Sequence, residues 1–68
     1  MKKRELLRRL RSIARSADVE LNFTREGANH EIWTIDGERL VIPRHRDVNE
    51  RTAYSIIRRA KEVTTDEN

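Results

Sequence analysis

The sequence predicts a single two-layer α+β domain whose elements follow the order α-β-β-β-α. Apolar residues recur at helical spacing near both ends of the chain, apolar and polar residues alternate in the middle, and an Asp36-Gly37 pair separates two of the alternating runs. A chain of 68 residues has room for one domain. We therefore expect a three-stranded antiparallel sheet with both helices on one face.

The first element is an amphipathic helix over residues 3 to 17. Its apolar positions recur every three or four residues, and arginines occupy the opposite side. The apolar positions are Leu6, Leu7, Leu10, Ile13, Ala14 and Ala17, and the arginines are Arg4, Arg8, Arg11 and Arg15. No residue between positions 6 and 17 breaks the pattern, so one continuous helix is predicted.

The middle of the chain is typical of three strands. An alternation that begins at Val19 predicts the first strand, and Gly27 then favours a turn because glycine can take positive φ. The second strand is predicted over residues 30 to 35 and the third over residues 38 to 42. Asp-Gly between them favours a two-residue hairpin loop, so these two strands should pair directly.

The last element is a helix over residues 50 to 63. Pro43 ends the third strand because proline lacks an N–H for the ladder, and Asn49 is a good N-cap for the helix. The buried positions of this helix are predicted to be Ala53, Ile56, Ile57 and Ala60. The domain is therefore expected over residues 1–63, followed by an acidic tail, 64–68, that should fray.

The hairpin loop also predicts which face of the sheet each side chain occupies. A two-residue loop at Asp36-Gly37 places Trp33 opposite Leu40, and these residues should share the helix-facing side with Ile35 and Ile42. His30 then lies on the other, more accessible face, with Ile32, Thr34, Arg39 and Val41. A register slip of one residue would reverse this assignment.

Composition limits the chemistry available to the chain. There is no cysteine, which excludes disulfides, thiolate zinc sites and cysteine nucleophiles. No compact metal-ligand spacing and no phosphate-binding glycine loop occur, so neither a metal nor a cofactor is expected. The sequence also lacks an apolar run long enough for a membrane span or a secretory signal, and a cytoplasmic location is expected.

Positive charge is concentrated at the start of the chain. Lysines and arginines at positions 2, 3, 4, 8, 9, 11 and 15 face a single acid, Glu5. Such a segment attracts polyanions by neutralising phosphates and releasing counterions. The same pattern is common on solvated helix faces, so both interpretations stay open.

Two histidines, His30 and His45, are the candidate bases. RNA cleavage needs little more than a base and a fixed cation: a neutral imidazole takes the proton of a ribose 2′-hydroxyl, and the cation stabilises charge on the phosphate. DNA lacks that hydroxyl, so the chemistry selects RNA. A histidine at a strand start is more often a solvated surface residue, so the residues alone leave both interpretations of His30 open.

Five segments together resemble the HicA family of bacterial toxin ribonucleases. They are "KKRELLRRL", "REGANHEIW", the Asp-Gly hairpin, "IPRHRDVNERTA" and "SIIRRA", and they cover residues 2 to 61 in order. The resemblance implies a double-stranded-RNA-binding-domain-like fold and metal-independent cleavage of mRNA. It also implies the toxin part of a type II toxin–antitoxin system, neutralised by a HicB-like antitoxin. The family relies on one histidine at the start of the second strand, and only His30 matches that position.

The resemblance extends to the surroundings of His30. Gly27, Ala28 and Asn29 form the turn that supports it, but the family usually has glycine where Ala28 stands, so a positive φ there would strain Ala28. His45 is a candidate auxiliary residue. The candidate phosphate contacts are Arg25, Arg39, Arg44, Arg46, Lys3 and Arg4. The antitoxin is expected to cover the His30 face.

Two other functions fit the same residues. The first is an RNA-binding module of this fold without catalysis, and the second is a protein-interaction subunit whose basic first helix docks on an acidic partner. Cleavage, salt-dependent RNA binding without cleavage, and binding to an acidic protein alone would distinguish the three.

Overall fold

A computed structural model describes residues 1–65 and shows the predicted element order. The elements are helix α1 (Lys3–Ala17), strands β1 (Leu21–Glu26), β2 (His30–Ile35) and β3 (Glu38–Pro43), and helix α2 (Glu50–Thr64). Helix α2 thus extends one residue beyond its predicted end. Most of the tail that was expected to fray, residues 66–68, lies outside the described residues.

The three strands form one antiparallel sheet in the order β1-β2-β3. Trp33 pairs with Leu40 and Ile35 with Glu38, so the predicted hairpin register is confirmed. Asp36 and Gly37 both have positive φ, 54° and 81°, as a type I′ loop requires. The right-handed twist of that loop matches the strands, which is why two residues suffice to join them.

The hydrophobic core lies between one face of the sheet and both helices. Its fully buried large side chains are Leu6, Leu10, Ile35, Leu40 and Ile42. The opposite face of the sheet, which we call the open face, is not covered by either helix of residues 1–65, and Val41 there is 46% exposed. The two-layer α+β fold with the helices on one face is therefore confirmed.

Strand β1 begins two residues later than the alternation from Val19 predicts. Asp18 adopts the left-handed conformation with φ 59°, and the Val19 N–H donates to the carbonyl of Ala14 at 2.9 Å. These contacts form a Schellman-type cap on α1. The predicted start was wrong because Val19 uses its N–H to end the helix.

Val48 is a core residue that the sequence pattern does not indicate. It is 3% exposed, although it stands in the polar connection between β3 and α2. Its N–H donates to the Met1 carbonyl at 2.7 Å, and the Lys3 N–H donates to the Arg46 carbonyl at 2.7 Å. This pairing attaches the connection to the start of α1.

Among residues 1–65, no helix is long and apolar enough to span a membrane.

Gly37→Ala is expected to lower the free energy of unfolding by roughly 1–2 kcal/mol, since an L side chain is strained at positive φ. A Cβ at Gly37 would meet no atom within 4 Å, so the loss should be conformational and not steric. Urea denaturation would measure it. Gly37→Asn is the matched control, because asparagine tolerates this conformation better; equal losses for the two variants would contradict the explanation.

Candidate functional site

His30 is the first residue of β2 and is exposed to solvent. It pairs with Pro43 on the neighbouring strand and lies on the open face of the sheet. The hairpin register places it there, since Trp33 and Ile35 take the helix-facing positions of the same strand. An imidazole at this place is accessible to a large substrate.

In the turn before His30, the backbone of Gly27 lies close to the backbone of His30. The Gly27 N–H donates to the His30 carbonyl at 2.6 Å, and a Cβ on Gly27 would lie 3.3 Å from the same oxygen. Gly27 does not have positive φ, so that part of the prediction was wrong. Ala28 and Asn29 do not have positive φ either, and Ala28 therefore sits in this turn without the strain considered for it.

Arg44 is bound to this turn. Its Nη1 donates to the carbonyls of Gly27 at 3.3 Å and Ala28 at 3.2 Å, and its backbone N–H donates to the Asn29 carbonyl at 3.2 Å. Its Nη2 lies 3.9 Å from Oε1 of Glu26. The side chain predicted as a phosphate contact thus faces the backbone beside His30.

A β-bulge brings Arg25 onto the open face. The register between β1 and β2 shifts between Phe23 and Arg25, so that Phe23 pairs with Trp33 but Arg25 pairs with Ile32. Simple alternation would have placed Arg25 on the helix side with Phe23. In the observed register Arg25 is a diagonal neighbour of His30, at a Cα separation of roughly 7–8 Å.

Arg39 shares the open face but lies farther from His30. It pairs with Thr34, which is four residues along β2 from His30, a distance of roughly 13 Å at the usual rise of a strand. Arg39 is therefore not an immediate neighbour of His30 on the sheet. A longer RNA strand crossing the open face would reach both.

Arg46 and Arg4 border a second basic area at the start of α1. An open groove there is lined by Lys2, Lys3, Arg4, Leu7 and Arg46. The pairing of the β3–α2 connection with the start of the chain brings these residues together, although they are far apart in sequence. His45 is exposed in the same connection, two residues beyond the Pro43 that pairs with His30.

Lys3 lies on the helix side of the sheet. Its Nζ donates to Oε2 of Glu31 at 2.5 Å, and Nε1 of Trp33 donates to Oε1 of the same carboxylate at 2.9 Å. The Lys3 and Glu31 side chains are only 18% and 14% exposed. The structure therefore does not bring Lys3 to the open face, and its charge is already paired.

The free energy of unfolding should fall as the pH drops below 4.5, the ordinary pKa of a glutamate side chain. Burial raises the pKa of Glu31, but hydrogen bonds from Lys3 and Trp33 outweigh it and leave the pKa lowered. A carboxylate with a lowered folded-state pKa contributes stability above its unfolded pKa and loses it as the pH falls through the folded pKa.

The measurement is urea unfolding at about pH 7 and about pH 3. Glu31→Gln is expected to destabilise the protein at the higher pH. It should therefore reduce the difference in the free energy of unfolding between the two pH values. Glu62→Gln, which removes an exposed carboxylate of α2, should leave that difference close to wild type. An unchanged difference in Glu31→Gln would contradict the assignment.

Fold and site together define a two-layer α+β domain with an accessible histidine at one end of an open sheet face and arginines along that face. Within residues 1–65, no cluster of three or more histidine, aspartate or glutamate side chains is placed to hold a metal ion. Comparisons with protein-family models, curated proteins and solved structures found no match. Function is therefore inferred from the residues and their geometry.

Proposed function

We propose that the protein is a metal-independent endoribonuclease that cleaves mRNA, with His30 as the proton-transfer residue. The observation that carries this proposal is the position of His30: exposed, on the open face, with Arg25 as its diagonal neighbour. This pairs a base with a cation, the two groups that the reaction needs. The resemblance to HicA toxins, which rely on a histidine at this place, supports the same assignment.

The reaction begins when the neutral imidazole of His30 accepts the proton of a ribose 2′-hydroxyl. The freed oxygen attacks the adjacent phosphorus, and the bond from phosphorus to the 5′-oxygen breaks. The products are a 2′,3′-cyclic phosphate and a 5′-hydroxyl, whose proton comes from the imidazolium or from water. Arg25 stabilises the negative charge that gathers on the phosphate oxygens.

The remaining cations would guide the RNA backbone. Arg39 lies farther along the open face, and Arg46 and Arg4 border the groove at the start of α1. Each such contact binds phosphate without reading sequence, as expected for an enzyme that selects RNA through its 2′-hydroxyl. His45 is an auxiliary candidate for protonating the leaving oxygen.

In the proposed biological role the protein is the toxin of a type II toxin–antitoxin system and acts on mRNA in the cytoplasm, which arrests translation and growth. A HicB-like antitoxin would neutralise it by covering the open face. That face suits an acidic partner because Arg25 and Arg39 lie on it, and the exposed Val41 and the partly buried Ile32 add apolar contacts on the same face. An acidic partner there would block both His30 and the phosphate contacts.

Purified protein and single-stranded RNA in EDTA test the proposal. Cleavage should give 2′,3′-cyclic phosphate ends, and a 2′-deoxy substitution at the cleaved nucleotide should prevent it. Salt-dependent binding without cleavage would instead favour the alternative, an RNA-binding module without catalysis. Failure to bind RNA even at low salt, with tight binding to an acidic protein, would favour an interaction subunit.

A further inference from the structure

The two hairpin turns of the sheet are closed in different ways. Asp36 and Gly37 both have positive φ and close their turn by themselves. The turn between β1 and β2 lacks that feature, since neither Ala28 nor Asn29 has positive φ. The turn has three residues, Gly27, Ala28 and Asn29, and none of them has the positive φ with which short hairpin loops match the twist of the strands, so this turn needs support from outside.

Arg44 supplies that support. The carbonyls of three consecutive turn residues, Gly27, Ala28 and Asn29, all accept hydrogen bonds from Arg44, two from the guanidinium and one from the backbone N–H. Nη2 of the guanidinium also lies near the carboxylate of Glu26. The planar, multi-donor guanidinium is suited to bridging two neighbouring carbonyls, which a lysine ammonium on a flexible stem does less well.

We propose that Arg44 is a positioning residue that holds the turn before His30 and so sets the place of the imidazole. The inference rests on the proposed ribonuclease function and deepens it. His30 is connected to the turn by the hydrogen bond from the Gly27 N–H to its carbonyl. Release of the turn would leave the imidazole free to shift, and a misplacement of about 1 Å can reduce a catalytic rate by roughly 100-fold.

A direct phosphate contact is the competing role for Arg44, and it predicts a different result. If Arg44 contacts phosphate, Arg44→Lys keeps the charge but loses the bidentate geometry of the guanidinium, so it would weaken RNA binding and leave the rate at saturating protein unchanged. If Arg44 positions His30, the same substitution lowers the rate of cleavage at saturating protein and leaves RNA affinity nearly unchanged. The split between rate and affinity therefore separates the two roles.

Arg59→Lys is the matched control. Nε of Arg59 donates to the Arg39 carbonyl at 3.1 Å, and its Nη2 lies 3.8 Å from Oε1 of Glu38. Like Arg44, this arginine binds a backbone carbonyl and approaches a glutamate, but it does so at the other end of β3. Its substitution should change neither cleavage nor RNA binding.

Single-turnover cleavage and RNA binding would be measured for wild type and both lysine variants. We expect Arg44→Lys to cleave roughly 10- to 100-fold more slowly than wild type with a similar Kd for RNA. Amide hydrogen exchange by NMR would be measured in the same proteins. The Gly27 amide should exchange faster in Arg44→Lys and at the wild-type rate in Arg59→Lys.

The outcomes separate this inference from the proposed function. If wild type cleaves RNA and Arg44→Lys matches it in rate and in Gly27 exchange, the positioning role is wrong and the ribonuclease proposal stands. Loss of RNA affinity at an unchanged rate would also overturn it, in favour of a phosphate contact. If wild type does not cleave RNA, the proposed function and the catalytic part of this inference both fail, and Gly27 exchange still decides whether Arg44 holds the turn.

Discussion

Replacing His30 by alanine is expected to lower RNA cleavage by roughly 100- to 10,000-fold, the usual contribution of a positioned general base. The variant loses the proposed acceptor of the 2′-hydroxyl proton and keeps the arginines that are proposed to bind phosphate. RNA affinity should therefore stay close to wild type. Expression in growing cells should follow the same pattern, with growth arrest and mRNA loss for wild type only.

The fold should survive this substitution. The His30 side chain is exposed, and the contacts that order this part of the chain are backbone pairing with Pro43 and the Gly27 hydrogen bond. Urea unfolding of the variant would establish that lost cleavage reflects lost chemistry. Equal cleavage by wild type and His30→Ala in EDTA would show that the catalytic assignment is wrong.

Leu40→Ala is expected to lower the free energy of unfolding by about 2–5 kcal/mol, the range for removing a large aliphatic side chain from a core. Leu40 is the third residue of β3 and is 1% exposed. It belongs to the core cluster between the sheet and both helices. A domain of this size has a small stability margin. We therefore expect the variant to be largely unfolded, or close to unfolding, at physiological temperature.

Val41→Ala is the matched control for this loss. Val41 follows Leu40 on the same strand, but its side chain is on the open face and 46% exposed. Its truncation should cost well under half of the Leu40 loss, since fewer of its contacts are removed. Thermal and urea unfolding of both variants would test the comparison, and equal losses would mean that the assignment of the two sheet faces is incorrect.

Local chemistry was enough to predict the helices, the hairpin and the side of the sheet on which His30 lies. Asp36-Gly37 favours one loop type, that loop determines a single register, and the register assigns alternate residues to opposite faces. Helix α1 follows in the same way from the spacing of its apolar residues. The predicted start of β1 was wrong because Val19 continues the alternating pattern of the strand while its N–H caps α1.

The surroundings of His30 depend on contacts between residues far apart in the chain. Local alternation does not indicate the bulge that turns Arg25 to the open face, because a bulge depends on how two strands fit together. Lys3 looked like one more free cation, but it pairs with Glu31, which is 28 residues away. Val48 has polar neighbours in the sequence, but it is buried because its segment pairs with the start of the chain.

The sequence by itself determined the element order and the hairpin register, and through that register the face of the sheet on which His30 lies. Only the tertiary structure decided which cations accompany that histidine and which hold the backbone around it. Arg44 shows the physical reason. Its guanidinium binds carbonyls 16 and 17 residues earlier in the chain, and a backbone carbonyl is present at every position, so no residue pattern marks the ones it will bind.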